Sequence, residues 1–205
     1  LRCIGSGSAP LDPEMIRGYQ ERFGIEIVNA FGSNEGMSLM SNASNAANPE
    51  HRARLFPRYG RDEIHWESPP HAHIRTRIVE PESGTEILEA GKPGELQITG
   101  PTVFDGYFRA PQINAQSFTA DGWFRTGDLG ELDAAGYLRI TGRAKELIIS
   151  GGYNVYPREV EDALCAHPAI ADAAVVGTPS PEWGETVTAY LEGPAPPDLA
   201  ELRTF

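Results

Sequence analysis

The chain has 205 residues, of which 40% are hydrophobic, and it carries a formal net charge of −12 at pH 7. This acidic balance argues against nucleic acid or an anionic membrane as the main partner, and no apolar run approaches the ~20 residues needed to span a bilayer. No signal peptide opens the chain, so we expect a cytoplasmic protein with no integral membrane segment, of one large domain or two smaller ones.

The first third of the chain predicts two strands that flank one helix. Residues 1–4 and 25–30 have the composition of buried strands, and residues 13–23 place apolar side chains at helical spacing. A glycine-containing turn follows each strand, at residues 5–10 and 31–36. In a parallel α/β sheet the carboxyl ends of the strands are where ligands bind, so these two turns are the candidate binding loops.

Residues 37–73 are the least informative stretch, because they are polar, rich in small residues and mixed in charge. We interpret them as a surface loop or lid, and the alternative is an element that determines substrate specificity. Cys3 and Cys165 lie far apart in the sequence without a metal-ligand spacing. We therefore expect two buried free thiols.

Residues 74–122 predict β structure, because apolar and polar residues alternate along them. A short helix is expected from Pro111 to near Phe118, and a hairpin turn at Asp121-Gly122. The aromatic residues here are expected in the core rather than as a stacking platform: Phe104, Tyr107, Phe108, Phe118, Trp123 and Phe124.

The most informative stretch is WFRTGDLGELDAAGYLRITGRAKELIISGGYNVYPREVE, residues 123–161. A hairpin presents Asp128, and the following strand ends at Gly142 and Arg143. A carboxylate can accept two hydrogen bonds from a vicinal diol, and a guanidinium can donate in a fork to ribose or phosphate oxygens. The pair suits a nucleoside monophosphate.

The residues after Arg143 predict a small α/β unit. Its expected elements are a strand over 147–150, a tight turn at Gly151-Gly152, a helix from Pro157, strands over 171–177 and 186–191, and a helix from 198. We therefore predict two domains, 1–143 and 144–205, with the boundary near Lys145.

Three of these runs together resemble the signature of the adenylate-forming (AMP-binding) superfamily: TGDLG, GYLRITGRAKELI and SGGYNVYPREVE. GSAPL followed by NAFGSNEG is similar to the adenine-binding segment and the Y-G-x-T-E motif of that family. ISGGYNVYPREVE looks most like the acyl-CoA synthetase branch. The resemblance implies an α/β fold: the end of a parallel α/β large domain with a small β-barrel, followed by a small, mobile α+β C-terminal domain.

The resemblance also implies how the base would be held. Gly7, Ser8 and Ala9 would line the adenine, Asn29 would reach its exocyclic amine, and Phe31 would stack on the ring. Tyrosine is commoner in the family at the position of Phe31, so a hydroxyl is lost while the stacking face is kept.

Around the phosphates, the resemblance makes Glu35 the ligand of Mg²⁺, a hard cation that prefers carboxylate oxygen. Asn34 stands where threonine is usual, and its amide would donate to the α-phosphate. Gly32 begins the segment that would border the acyl pocket.

In the signature run, the resemblance assigns the ribose hydroxyls to Asp128 and the ribose or phosphate to Arg143. Lys145 would be the hinge about which the small domain rotates between the half-reactions. Gly151 and Gly152 would approach the pantetheine channel, and the alternative for them is an ordinary tight turn.

The activity implied is that of an ATP-dependent acyl- or aryl-CoA synthetase, an AMP-forming acid–thiol ligase that uses ATP, Mg²⁺ and CoA, with fatty acid metabolism as one setting. We expect the chain to be a fragment, because the upstream phosphate loop and the downstream catalytic lysine of the family are not in the sequence. The alternatives are an adenylation domain that loads a carrier protein and a non-catalytic AMP-binding module. The acid and the oligomeric state cannot be read from the sequence.

Overall fold

The computed structural model describes residues 1–7, 11–36, 38–60, 73–194, 197 and 199–202. The chain forms two compact units, Leu1–Ile140 and Thr141–Phe205. Within the described residues, none of the helices combines the length and the apolar character that crossing a membrane would require.

The first unit begins with a three-stranded sheet in the order β1-β2-β3. Its elements are β1 (Cys3–Gly7), α1 (Pro13–Phe23), β2 (Glu26–Gly32) and β3 (Ser38–Ser41). β1 and β2 are parallel, with α1 as the connection between them, and β3 pairs with β2 in the antiparallel sense. Ile16 of α1 and Ile27 of β2 are buried together. The predicted strand–helix–strand arrangement is therefore confirmed. The expected burial of the first strand is wrong, because Leu1 is 90% exposed and no residue of β1 is buried, and Gly5–Gly7, expected in a turn, belong to β1.

The two ends of α1 follow from local chemistry. The Asp12 carboxylate accepts a hydrogen bond from the Glu14 amide at 2.8 Å, and Pro13 occupies the first turn, where its missing N–H has no cost. Gly24 ends the helix with φ at +61°, a left-handed conformation that glycine adopts without strain.

The rest of this unit is built on a five-stranded sheet in the order β4-β8-β7-β6-β5. The elements are α2 (Pro49–Arg54), β4 (Leu55–Pro57), β5 (Arg75–Val79), β6 (Gly94–Thr99), α3 (Pro111–Ser117), β7 (Phe124–Leu132) and β8 (Tyr137–Arg143). The main core lies against this sheet and is formed largely by Leu39, Phe56, Tyr59, Ile78, Leu96, Ile98 and Leu138. The short helix expected from Pro111 is present.

The small barrel expected here is not closed by strand pairing within the described residues. β4 and β5 are the two edges of the sheet, and they do not pair with each other. One amide, that of Thr76 in β5, donates to the Tyr59 carbonyl just beyond β4 at 3.1 Å. β4 has only three residues, so the edges meet at this bond without forming a ladder.

The surface loop expected over residues 37–73 is wrong for its first part. β3, α2 and β4 lie there, and Leu39 and Tyr59 are fully buried. Arg52 is also fully buried. Its guanidinium compensates for the lost hydration by donating hydrogen bonds to the Ala46 and Ala47 carbonyls and to the Gln20 side chain. Desolvation lowers the pKa of this guanidinium. Residues 61–72 of the stretch lie outside the described part.

Two further expectations about burial are wrong. Cys3 and Cys165 are free but exposed, since Cys3 begins an edge strand and Cys165 ends a helix on its outer side. Phe104, Phe118 and Phe124 do pack their rings together with centroids 5.4–5.5 Å apart, whereas Phe108 is 86% exposed.

The second unit is built on a four-stranded sheet in the order β10-β9-β12-β11. Its elements are β9 (Ile148–Ser150), β10 (Tyr153–Val155), α4 (Pro157–Cys165), β11 (Asp172–Ser180), β12 (Gly184–Glu192) and α5 (Leu199–Leu202). The predicted strands and helices of this unit are all present. The division between the units falls after Ile140, three residues before the predicted boundary at Arg143. The domain boundary and the hinge at Lys145 stay predictions.

Candidate active site

The carboxyl ends of β1 and β2 lie side by side. The parallel register pairs Gly7 with Ala30, so the segments that leave the two strands start from one edge of the sheet. A Cβ atom on Gly7 would lie 2.5 Å from the Ala30 carbonyl oxygen, which explains why only glycine fits. Ser8 and Ala9, the other residues expected at the adenine, lie outside the described residues.

Asn29 and Phe31 of β2 have packing partners of their own. Asn29 is 5% exposed, and its amide donates to the carbonyls of Arg52 and Ala53, both at 3.0 Å. The half-buried Phe31 ring lies 5.9 Å from the ring of Phe56. These contacts give both residues a structural role, and their contacts with a base stay predictions.

The turn after β2 carries the residues expected at the phosphates. Gly32 and Asn34 are exposed. Gly36 closes the turn, with its amide donating to the Ser33 carbonyl and φ at +97°. A Cβ atom on Gly36 would lie 1.7 Å from the Thr102 carbonyl oxygen, so this turn is seated directly on the segment that follows β6.

Glu35 is held by the same segment through two hydrogen bonds. Its carbonyl accepts from the Phe104 amide at 2.9 Å, and its Oε1 accepts from the Tyr107 hydroxyl at 2.9 Å. The hydrogen bond to Glu35 raises the pKa of Tyr107. Sequence reasoning assigned Tyr107 to the core and missed this contact. A tyrosine hydroxyl usually finds a polar partner, which is the signal that was available.

The chemistry of Glu35 fits a magnesium ion. Mg²⁺ retains several waters and is usually bound by one or two carboxylates together with substrate phosphates. An ionised carboxylate has about four acceptor positions, so a carboxylate that accepts a hydrogen bond from Tyr107 can also be a metal ligand. Among the described residues, no three His, Cys, Asp or Glu side chains cluster in a way that could hold a metal ion.

Asp128 lies at an irregularity in β7. Glu95 pairs with Leu129 and Gln97 with Arg125, so three residues of β7 stand opposite Leu96 alone. Gly127 adopts a φ angle of +72° at this point. The Thr126 hydroxyl accepts a hydrogen bond from the Asp128 amide at 3.0 Å and donates one to the Leu96 carbonyl. Bulges of this kind re-aim side chains. Asp128 is 7% exposed and makes polar contacts of its own.

Arg143 and Lys145 lie where β8 ends. Both side chains are exposed, and Arg143 has a polar interaction partner. The Glu146 amide donates to the Arg143 carbonyl at 3.0 Å, which makes residues 143–146 a turn. Lys145 is therefore in a short connection outside regular structure, the kind of position that can absorb a backbone change.

Gly151 and Gly152 form the hairpin turn between β9 and β10. Their φ angles are +57° and +84°, and a two-residue hairpin turn of type I′ requires two consecutive positive φ angles. The Gly151 amide donates to the Trp183 carbonyl at 2.8 Å. A Cβ atom on Gly151 would lie 2.6 Å from the Trp183 ring, whereas one on Gly152 would meet nothing within 4 Å. Turn geometry therefore accounts for both glycines, and their place at a pantetheine channel stays a prediction.

Two family models match this chain. The family model described as "AMP-binding enzyme" matches residues 1–108 of the 205, and "AMP-binding enzyme C-terminal domain" matches residues 159–204. The chain belongs to the AMP-binding enzyme family, which confirms the resemblance drawn from the sequence.

Among the proteins that the chain is similar to are two CoA ligases and an enzyme of known structure. The chain is 41% identical over 191 residues to the sulfoacetate–CoA ligase of Cupriavidus necator, covering 93% of this chain and 35% of that protein. It is 36% identical over 207 residues to the 2-succinylbenzoate–CoA ligase of Bacillus licheniformis, covering 100% and 39%. The crystal structure of ATP-bound MatB from Rhodopseudomonas palustris superposes with a TM-score of 0.78 at 33% identity, covering 97% of this chain and 37% of that chain. The chain thus spans less than two fifths of the length of these relatives.

Proposed function

We propose that this chain is part of an ATP-dependent acyl- or aryl-CoA synthetase, an AMP-forming acid–thiol ligase. The observation that carries the proposal is the 41% identity to a CoA ligase over 93% of the chain. The candidate site supports it, because Glu35 and Asp128 are each fixed by specific contacts in the same compact unit.

The proposed reaction has two steps. In the first, a carboxylate oxygen of the acid attacks the α-phosphorus of ATP, the bond to the β-phosphate breaks, and acyl-AMP and pyrophosphate form. In the second, the sulfur of CoA, having lost its proton, attacks the acyl carbonyl carbon. The bond from that carbon to the phosphate oxygen breaks, and AMP leaves with the electron pair.

We assign the described residues to the nucleotide as follows. Asp128 accepts hydrogen bonds from the ribose hydroxyls, because a buried carboxylate on a bulge is rigidly aimed. Arg143 donates to the ribose or the phosphate. Asn34, exposed on the turn before Glu35, donates through its side-chain amide to the α-phosphate.

Glu35 would hold Mg²⁺ in the bound nucleotide complex. When bound, the ion neutralises the charge that develops on the transferring phosphate. Because ATP and CoA are the proposed co-substrates, we place the enzyme in the cytoplasm. Fatty acids are one class of acid to be tested, together with short aliphatic, sulfonated and aromatic carboxylic acids.

The test is pyrophosphate release by the complete protein with ATP, Mg²⁺ and a panel of these acids, with and without CoA. The proposal predicts pyrophosphate, AMP and an acyl-CoA thioester with at least one acid. Acyl-adenylate formation with CoA left unchanged would instead favour an adenylation domain that loads a carrier protein. AMP binding without pyrophosphate release from any acid would favour a non-catalytic module.

A further inference from the structure

Tyr107 is not among the candidate site residues taken from the sequence, yet it contacts Glu35, the residue expected at the metal. Its hydroxyl donates to Glu35 Oε1 at 2.9 Å across 72 positions of sequence. A hydrogen bond to a charged acceptor is about twice as strong as one between neutral groups. Tyr107 is 37% exposed, so its burial alone does not explain the contact.

The Tyr107 ring is itself held in place. It packs edge-on against Phe104 with the centroids 4.8 Å apart, and the Phe104 amide is the group that donates to the Glu35 carbonyl. Two residues whose rings pack together therefore contact Glu35: Phe104 binds its main chain and Tyr107 binds its side chain.

Helix α3 fixes the backbone of Tyr107 from the other side. Asn114 of α3 accepts from the Tyr107 amide at 2.7 Å and donates to its carbonyl at 3.0 Å. Gly106, with φ at +137°, lies where a Cβ atom would be 3.0 Å from the Asn114 side chain. This pair of hydrogen bonds therefore requires the side-chain amide of Asn114 and a glycine immediately before Tyr107.

We propose that Tyr107 is a positioning residue, which holds the Glu35 carboxylate in the orientation that receives a divalent cation bound with the nucleotide. The inference rests on the proposed function, because it takes Glu35 as the metal ligand. Without the hydroxyl, the carboxylate would lose one of the contacts that order it, and more of its side-chain entropy would be lost when the cation binds. Cation affinity should fall while the chemistry at saturating cation is little changed.

The test uses the complete protein and Mn²⁺ as the probe, since free Mn²⁺ is measured directly by electron paramagnetic resonance. Mn²⁺ is titrated in the presence of a non-hydrolysable ATP analogue. Tyr107→Phe, which removes only the hydroxyl, should raise the dissociation constant of Mn²⁺ about five- to tenfold. Asn114→Ala should raise it in the same direction, and affinity for the analogue without metal should be unchanged.

Tyr137→Phe is the matched control. It also removes one tyrosine hydroxyl from the same unit, but that hydroxyl donates to the Asn45 carbonyl and not to Glu35. Mn²⁺ affinity should be unaffected by this change. Unfolding midpoints of the variants show whether each is folded during the titration.

Steady-state kinetics gives a second reading. In Tyr107→Phe the Mg²⁺ concentration for half-maximal pyrophosphate release should rise by the same factor, and kcat should recover at saturating Mg²⁺. Unchanged Mn²⁺ affinity, or a loss of kcat that Mg²⁺ does not restore, would overturn the positioning role. Absence of pyrophosphate release by the unaltered protein would reject the proposed function instead. Glu35→Gln distinguishes these two failures. If Mn²⁺ affinity does not change in this variant, Glu35 is not the metal ligand, and the positioning role of Tyr107 is rejected while the proposed reaction is unaffected.

Discussion

At the residue scale, Asp128 is the side chain whose role can be tested most simply. Asp128 is buried at the bulge of β7, and a ribose diol would present two donors to its carboxylate oxygens. Asp128→Ala should weaken AMP binding by roughly 1.5–3 kcal/mol, because hydrogen bonds to a charged group are lost. Isothermal calorimetry with AMP measures this directly.

Glu82→Ala provides the control for Asp128, because Glu82 is an exposed carboxylate in a turn of the same unit. It should leave the affinity for AMP unchanged. Equal affinity in Asp128→Ala and the unaltered protein would reject the ribose assignment.

Asp121 gives a pH-dependent prediction. Its carboxylate accepts two hydrogen bonds from the Arg77 guanidinium, which lies 4.3 Å from the Trp123 ring centre. Hydrogen bonding to Arg77 lowers the pKa of Asp121 to about 2. A folded-state pKa below the unfolded value of about 3.8 means that the carboxylate stabilises the fold above pH 4 and loses this effect as the pH falls through 2.

Asp121→Asn should therefore lower the urea midpoint at pH 7, and the difference from the unaltered protein should shrink between pH 4 and pH 2. The carboxylate is largely exposed, so the effect at pH 7 should be small and should diminish with salt. A difference that stays constant over the whole pH range would show that the charge of Asp121 is not its cause.

Side-chain contacts between distant segments are what the sequence could not supply at this scale. The family resemblance led to Glu35 and Asp128, because each lies in a contiguous run of residues that resembles a family motif. The Tyr107–Glu35 contact joins segments 72 residues apart, and no local pattern predicts which hydroxyl reaches which carboxylate. The burial of Arg52 likewise depends on carbonyls presented by its own folded surroundings.

At the element scale, local chemistry predicted helix ends and turns well. Asp12, Pro13 and Gly24 set the limits of α1, and Pro111 and Pro157 open α3 and α4. Prediction failed where elements are short. β3, α2 and β4 have four, six and three residues, too few for a periodic pattern. They are stabilised by tertiary packing rather than by propensity, since β3 and β4 contribute to the main core and Ala53 of α2 packs with Ile16 and Ile27.

The β9–β10 hairpin gives a prediction at this scale. Gly151→Ala and Gly152→Ala should each cost about 1–2 kcal/mol of unfolding free energy, because both φ angles are left-handed. Gly151→Ala should cost more, since its methyl group would also displace the Trp183 ring. Urea unfolding of both variants measures the difference.

Trp183→Ala provides the matched background for this comparison. Without the ring, a methyl group at either position would meet no side chain, so the two alanine substitutions should lower the free energy of unfolding equally. An equal cost while Trp183 is present would contradict the assigned role of the ring.

At the scale of the whole molecule, the chain consists of two units whose division falls within β8. The turn at residues 143–146 follows immediately, and Lys145 is exposed in it. If the small domain rotates about this point between half-reactions, a proline there should restrict it, because proline fixes its own φ and limits the preceding residue.

Lys145→Pro in the complete enzyme should leave adenylation intact and slow thioester formation about tenfold or more. Pyrophosphate release without CoA and acyl-CoA formation with CoA report the two steps separately. Lys145→Ala keeps the backbone free and serves as the control for loss of the charge. Equal loss of both half-reactions in Lys145→Pro would count against a hinge.

We propose that the complete protein joins a carboxylic acid to CoA through an acyl-adenylate. The product balance tests this when the complete protein is incubated with ATP, Mg²⁺, CoA and each acid of the panel. One AMP, one pyrophosphate and one acyl-CoA are expected for each ATP consumed, with at least one acid. ADP and phosphate in place of AMP and pyrophosphate, or acyl-adenylate with CoA unchanged, would contradict it.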